Sequence, residues 1–175
     1  MKHDDTFLVL RAQSGDRAAL DTLLRTIQEP LYRYVVHIVG TRAAAEDILQ
    51  DVFVRIWRKL GWLHDPALFR PWVYRIASRE AFRHLERERK WREQVRDDEV
   101  LATIAAPPVK VDDGELTRLI GEASPASRAV LVLHYLDGLT FDEIAGILGI
   151  AVGTVKSRLA YGLRTLRRAT EGGRP

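Results

Sequence analysis

The chain of 175 residues contains no cysteine at all. That excludes a disulfide scaffold and any Cys-based zinc or redox site, and it fits a reducing compartment. Proline is scarce, and the seven prolines and twelve glycines gather at a few places. Between them lie long stretches rich in Leu, Ala, Arg and Glu, all good helix formers. Sustained alternation of apolar and polar residues, the mark of strands, is missing. The longest apolar runs, such as Val35-Val36 and Ala129 to Leu133, stop far short of the roughly 20 residues a membrane span needs. The N-terminus does not resemble a signal peptide, so no membrane association is expected.

What is present is charge, unevenly spread. The formal net charge is only +3, with 29% charged residues, but local field matters more than the total for a polyanion partner. From Arg70 to Arg92 there are eight Arg or Lys against three Glu, and from Lys156 to Arg174 six against Glu171 alone. Between these basic stretches, Glu93 to Glu122 is net acidic.

The punctuation reads as an all-α chain of two small domains. An opening amphipathic helix carrying Phe7, Leu8 and Leu10 ends at Gly15, and Asp16 caps the next. Leu20, Leu23, Leu24, Ile27 and Leu31 recur at helical spacing, and Pro30, which lacks an amide donor, predicts a bend or break into two segments reaching Val39. Thr41 opens a third helix whose apolar pairs Ile48-Leu49, Val52-Phe53 and Ile56-Trp57 repeat four apart. After a loop with Gly61, Asp65 and Pro66, a long helix is expected from about Leu68 to about Arg89. Residues 93–112, with Ala105-Ala106-Pro107-Pro108, read as a flexible linker. Short helices follow near Glu115 to Ala123 and from Pro125 to Leu136.

The most informative stretch is Leu139 to Ile150. Thr140 and Glu143 form a capping box, Gly149 ends the helix, and Ile144, Ala145 and Leu148 are read as facing inward. A second helix begins near Val152 with Val155 and Leu159 as its buried stripe. This is the pattern of a helix-turn-helix, whose second helix enters the major groove; Lys156, Ser157 and Arg158 lie near its exposed side. In the first domain Arg75, Arg79, Arg83 and Arg87 recur every four residues, and two readings stand for them: a basic ridge able to follow phosphates, or a solvated face paired with Glu80, Glu86 and Glu88. Aromatic rings beside such a ridge can stack on unpaired bases. Trp72 shares spacing with Phe69 and Ile76, so two roles stand for it, core packing or stacking. Asp47, Gln50 and Asp51 sit on the polar side of the third helix. With no second cluster of acids or histidines to complete a metal site, they read as a protein-contact surface, and no metal or other cofactor is expected.

Three segments, Ala45 to Trp57, Phe69 to Ala77 and Val152 to Leu159, together resemble extracytoplasmic-function sigma factors over nearly the whole chain. The resemblance implies that residues 1–92 form sigma domain two, which binds core RNA polymerase and melts the minus-10 element. Residues 93–112 would be the linker, and 113–175 sigma domain four, which reads the minus-35 element. It implies clamp-helix contacts at Asp47, Gln50 and Asp51. It places Trp62, Leu63, His64 and Asp65 in a loop that captures a flipped minus-10 base, beside Trp72, Arg75, Arg79 and Arg83. It assigns minus-35 contacts to Thr154, Lys156, Ser157 and Arg158. Implied partners are core polymerase through its clamp helices and flap region, promoter DNA both duplex and single-stranded, and an anti-sigma protein; the implied location is the cytoplasm, and no catalytic residue is implied. The chain departs from the family in having Arg79 and Arg83 where Asn and Asp are usual, and Leu163 where Arg is common.

Overall fold

A computed structural model of the chain describes residues 2–97 and 114–171, and among the described residues every regular element is a helix. The elements are α1 (Lys2–Gln13), α2 (Arg17–Val39), α3 (Arg42–Lys59), α4 (Phe69–Asp97), α5 (Gly114–Gly121), α6 (Pro125–Leu131), α7 (Phe141–Leu148) and α8 (Val152–Glu171). Two 3₁₀ turns, Leu60–Trp62 and Pro66–Leu68, link α3 to α4, and a π-helical turn, Val132–Leu136, prolongs α6. No single described helix is long and apolar enough to cross a membrane.

The boundaries follow local chemistry. The Asp16 carboxylate accepts from Ala19 N–H at 3.1 Å and the Thr41 hydroxyl from Ala44 N–H at 3.4 Å, each satisfying one orphan amide of a helix start. Gly40, at φ 81°, closes α2 in the left-handed conformation that side chains disfavour. Ser124 caps α6 with Pro125 at its first position, where a missing amide costs nothing.

The expected break at Pro30 does not occur. α2 runs unbroken from Arg17 to Val39 with Pro30 inside it. Leu23, Ile27, Leu31, Tyr34, Val35 and Ile38 from both sides of the proline enter one buried core, and burial of that stripe outweighs one lost hydrogen bond. α4 is also longer than expected, carrying on through Asp97, on i, i+3 and i, i+4 pairs such as Arg89–Glu86, Lys90–Glu86 and Arg92–Glu88. The rest of the expected linker, 98–112, lies outside the described residues.

α1 to α4 pack as one unit and α5 to α8 as another, and the two are in contact. α2 and α4 meet α6, its π-turn and α7. At this junction Arg128 on α6 donates to the His37 carbonyl at 3.2 Å and to its own unit's Ala123 carbonyl at 2.7 Å. Arg75 on α4 reaches the Gly146 carbonyl of α7 at 2.7 Å. The Tyr34 hydroxyl and Ser78 Oγ lie 2.7 Å apart, Ser78 donates to the Tyr74 carbonyl at 2.7 Å, and Tyr34 and Tyr74 meet edge to face. Burial raises the phenol pKa of both tyrosines.

Asp137, after the π-turn, lies against Tyr74 from the other unit. Burial lifts its carboxyl above the usual range, with the Tyr74 hydroxyl and Arg33 opposing that shift. An acid whose pKa is raised on folding adds stability below its unfolded value, and that contribution is lost as pH rises through the folded value. Asp137→Asn, which keeps the shape without the charge, is therefore expected to raise the thermal midpoint at pH 7. The gain should shrink toward zero on acidification, and a pH series of melting curves checks the sign.

Gly162 marks where α8 closes on α6. A Cβ there would sit 2.9 Å from Leu131 Cδ1 and 3.3 Å from Ser127 Cβ, and Leu131 is itself fully buried. Gly162→Ala gains about 1 kcal/mol of helix propensity but overpacks by about 1–3 kcal/mol, so a net loss is expected, deeper for Gly162→Val. Gly146→Ala, in open space, should instead stabilise; urea unfolding of the three variants distinguishes the two environments.

Candidate nucleic-acid interface

The helix-turn-helix is built as its residues require. Thr140 Oγ1 accepts from Glu143 N–H at 3.3 Å while the Glu143 carboxylate accepts from Thr140 N–H at 2.9 Å, the reciprocal arrangement that starts α7. Gly149 ends it at φ 67°, its N–H donating to Ala145 at 2.9 Å. The chain then turns by 102° into α8, within the range of helix-turn-helix units. Ile144, Ile147, Val155 and Leu159 are buried; Ala145 and Leu148, read as inward from the sequence, are half-buried, and Ile147 takes the deeper place.

That packing turns Lys156 and Ser157 to solvent, with Thr154 and Arg158 half-buried beside them. Lys156 Nζ lies 6.0 Å from the centre of the Phe141 ring, a cation–π contact that tethers it over the start of α7. Ser157 Oγ donates to the Thr154 carbonyl. A solvated, basic helix face beside a buried stripe is what a major-groove reader presents.

In the first unit the loop between α3 and α4 is held at several points. Leu63 N–H donates to the Leu60 carbonyl at 3.0 Å, and the Asp65 carboxylate accepts from Ala67 N–H at 3.0 Å. Asp65 therefore has a structural task as the cap of the second 3₁₀ turn. Trp62 is 75% exposed, and His64 and Asp65 are exposed with Leu63 half-buried. Trp72 is half-buried, its ring centre 6.4 Å from that of buried Phe69. It packs on the core with one side and leaves the other accessible.

The four ridge arginines, all exposed, are not equivalent. Arg83 Nη1 donates to both oxygens of Glu80 at 2.9 Å, and Arg55 Nη2 of α3 pairs with the same carboxylate at 3.2 Å. Glu80 is only 5% exposed, and a buried carboxylate must be paired, so Arg83 has much of its charge spent within the unit. Arg75 is engaged with Gly146. Arg79 has no ion pair among the described residues.

Asp47, Gln50 and Asp51 are exposed along α3. A shallow groove joins Asp47 and Asp51 to His84, Arg87, Glu88 and Trp91 of α4. Sequence reasoning missed His84 and Trp91: Trp91 is 58% exposed, and the signal that could have found it is a tryptophan in an otherwise charged stretch. No group of three or more His, Cys, Asp or Glu among the described residues is placed to hold a metal ion.

Comparison with known proteins accounts for both units. The family described as Sigma-70 region 2 matches residues 23–92, and Sigma-70, region 4 matches residues 113–166. ECF RNA polymerase sigma factor SigL of Mycobacterium tuberculosis is 32% identical, with 88% of this chain and 92% of SigL aligned. RNA polymerase sigma-H factor of Pseudomonas aeruginosa is 29% identical over 97% of this chain and 95% of that protein. Among solved structures, CnrH in complex with the cytosolic domain of CnrY has the same fold, with a TM-score of 0.72 at 23% identity over 98% of this chain and 99% of that one. The sigma factor RpoE of Bartonella quintana, in complex with the anti-sigma factor NepR, superposes with a TM-score of 0.68 at 22% identity over 88% and 98%.

Fold and interface thus define a sigma factor of the sigma-70 type, a regulatory initiation factor built from regions 2 and 4. More narrowly, the chain belongs to the extracytoplasmic-function family of RNA polymerase sigma factors. It binds core RNA polymerase and directs it to promoters.

Proposed function

We propose that the two units divide promoter recognition as duplex reading and single-strand capture. In α8, Thr154, Lys156, Ser157 and Arg158 contact the minus-35 duplex. In the first unit, Trp62, Leu63 and His64 receive a base extruded from the minus-10 element, while Trp72 stacks and Arg79 grips the strand. Asp65 holds the loop's shape. Arg75 joins this face once its bond to Gly146 is released, and Arg83 serves chiefly as the partner of Glu80. Asp47, Gln50 and Asp51, with the groove reaching Trp91, dock the polymerase clamp helices, and the second unit meets the flap region.

The observation that carries this reading is the exposure of Trp62 on a base tied by hydrogen bonds. A large aromatic ring left in water on a fixed loop is poorly placed for a core and well placed for stacking on an unpaired base, worth about 1–3 kcal/mol per base. Opening requires no catalytic group in this chain. Binding that favours unstacked over paired DNA shifts the equilibrium toward the bubble by its differential affinity, while polymerase supplies the nucleotidyl chemistry. The chain acts where polymerase is, in the cytoplasm. Its structural likeness to RpoE, solved in complex with the anti-sigma factor NepR, supports control by an anti-sigma protein.

Run-off transcription with core polymerase on a library of genomic promoter fragments tests the reading. Transcripts that need this protein and share two upstream elements are expected. Binding to core without any transcript would overturn the opening role.

A further inference from the structure

Gln13, the last residue of α1, donates its side-chain amide to two carbonyls of the loop between α3 and α4: Leu60 O at 2.9 Å and Leu63 O at 2.8 Å. Both partners are pure acceptors, so the side chain must present its NH₂ group, whose two hydrogens match two carbonyls. The pair brackets the 3₁₀ turn Leu60–Trp62 that carries the exposed Trp62. Gln13 and Leu60 are 47 positions apart in the chain, so this is tertiary bracing rather than turn chemistry.

The rest of α1 serves the same end. Asp5, buried, forms an ion pair with Arg70 at the start of α4. α1 thus ties down the α4 side of the loop near one end and the α3 side at the other, and it packs along both 3₁₀ turns. Val9 is fully buried between. α1 also lies wholly before residue 23, where the match to region 2 begins.

We propose that α1 is a brace for the promoter-capturing loop, and that Gln13 is a positioning residue that sets the presentation of Trp62 to the extruded minus-10 base. The inference rests on the reading of that loop given above. Without the amide, the Leu63 carbonyl loses its tether and the turn samples other orientations, so part of the binding energy goes into ordering the loop when the base arrives. Base capture weakens while the helices beneath stay folded.

The test uses holoenzyme assembled from core polymerase and the full chain. The probe is a fork-junction DNA bearing the unpaired minus-10 strand of a promoter that this holoenzyme transcribes, with and without an abasic site at the extruded position. Gln13→Glu is nearly isosteric but offers no donor to the carbonyls, whereas Gln13→Lys keeps a donor. Wild type should discriminate strongly between intact and abasic probes. Gln13→Glu, which removes both donated hydrogen bonds, should reduce that ratio about five- to ten-fold, part of their combined worth, with core binding and minus-35 duplex binding unchanged and Gln13→Lys partly rescued. If Gln13→Glu weakens both probes alike, its role is merely structural and the inference falls. If it keeps the wild-type ratio while Trp62→Ala loses it, the brace is refuted and the loop reading stands. If Trp62→Ala also keeps the ratio, the loop reading itself is wrong.

Discussion

Phe69→Ala is expected to destabilise the protein by about 3–5 kcal/mol, the range for emptying a buried aromatic site. Phe69 is fully buried at the first turn of α4, beneath Trp72 and directly after the 3₁₀ turn Pro66–Leu68. Neighbouring helices fix the walls of the hole, so collapse is limited and the cavity remains. Against a typical domain stability of about 5–15 kcal/mol, the loss is a large fraction of the total. Urea unfolding should show a lower midpoint with an unchanged slope. The same experiment reports on the junction between the units: if signals from α5 to α8 shift with those from α1 to α4, contacts such as Arg128 to His37 bind the two into one cooperative block.

Removing two charges from the recognition helix should have the largest effect on DNA binding. Lys156→Ala with Arg158→Ala is expected to weaken minus-35 duplex binding about 10²- to 10³-fold, since each good contact to a base edge contributes on the order of 1–3 kcal/mol. The fold should survive, because Val155 and Leu159 carry the buried stripe and the replaced side chains lie at or near the surface. The salt dependence separates the two roles: a residue contacting phosphate lowers the slope of log K against log salt by about one, whereas one reading a base changes the preferred sequence instead. Duplex affinity unchanged in the double variant would remove α8 from minus-35 recognition.

Local sequence reasoning works well for α7 and α8 because their determinants are local. Thr140 and Glu143 are three residues apart, Gly149 supplies a left-handed cap, and Ile144, Val155 and Leu159 keep helical spacing; each signal lies within one turn of what it controls. Pro30 is the counterexample. Its local cost predicts a break, and the long stripe buried on both sides of it overrules that cost. The arginine ridge is a mixed case: its four-residue period was legible, but the period says nothing about which arginine is already engaged.

From its sequence alone, then, this chain reads as an all-helical, two-unit protein resembling sigma factors, with a helix-turn-helix, a row of arginines on one helix, and acidic residues along the polar side of another. Only the tertiary structure shows that Arg55 reaches Glu80 from α3, that Arg75 bonds Gly146 across the junction, that Asp137 lies half-buried against Tyr74, and that Gln13 hydrogen-bonds the loop of Trp62. The physical reason is distance along the chain. Capping, helical period and charge composition are set by neighbours a few residues apart, whereas these contacts join residues up to 71 positions apart, and only close packing of the helices decides which of them meet.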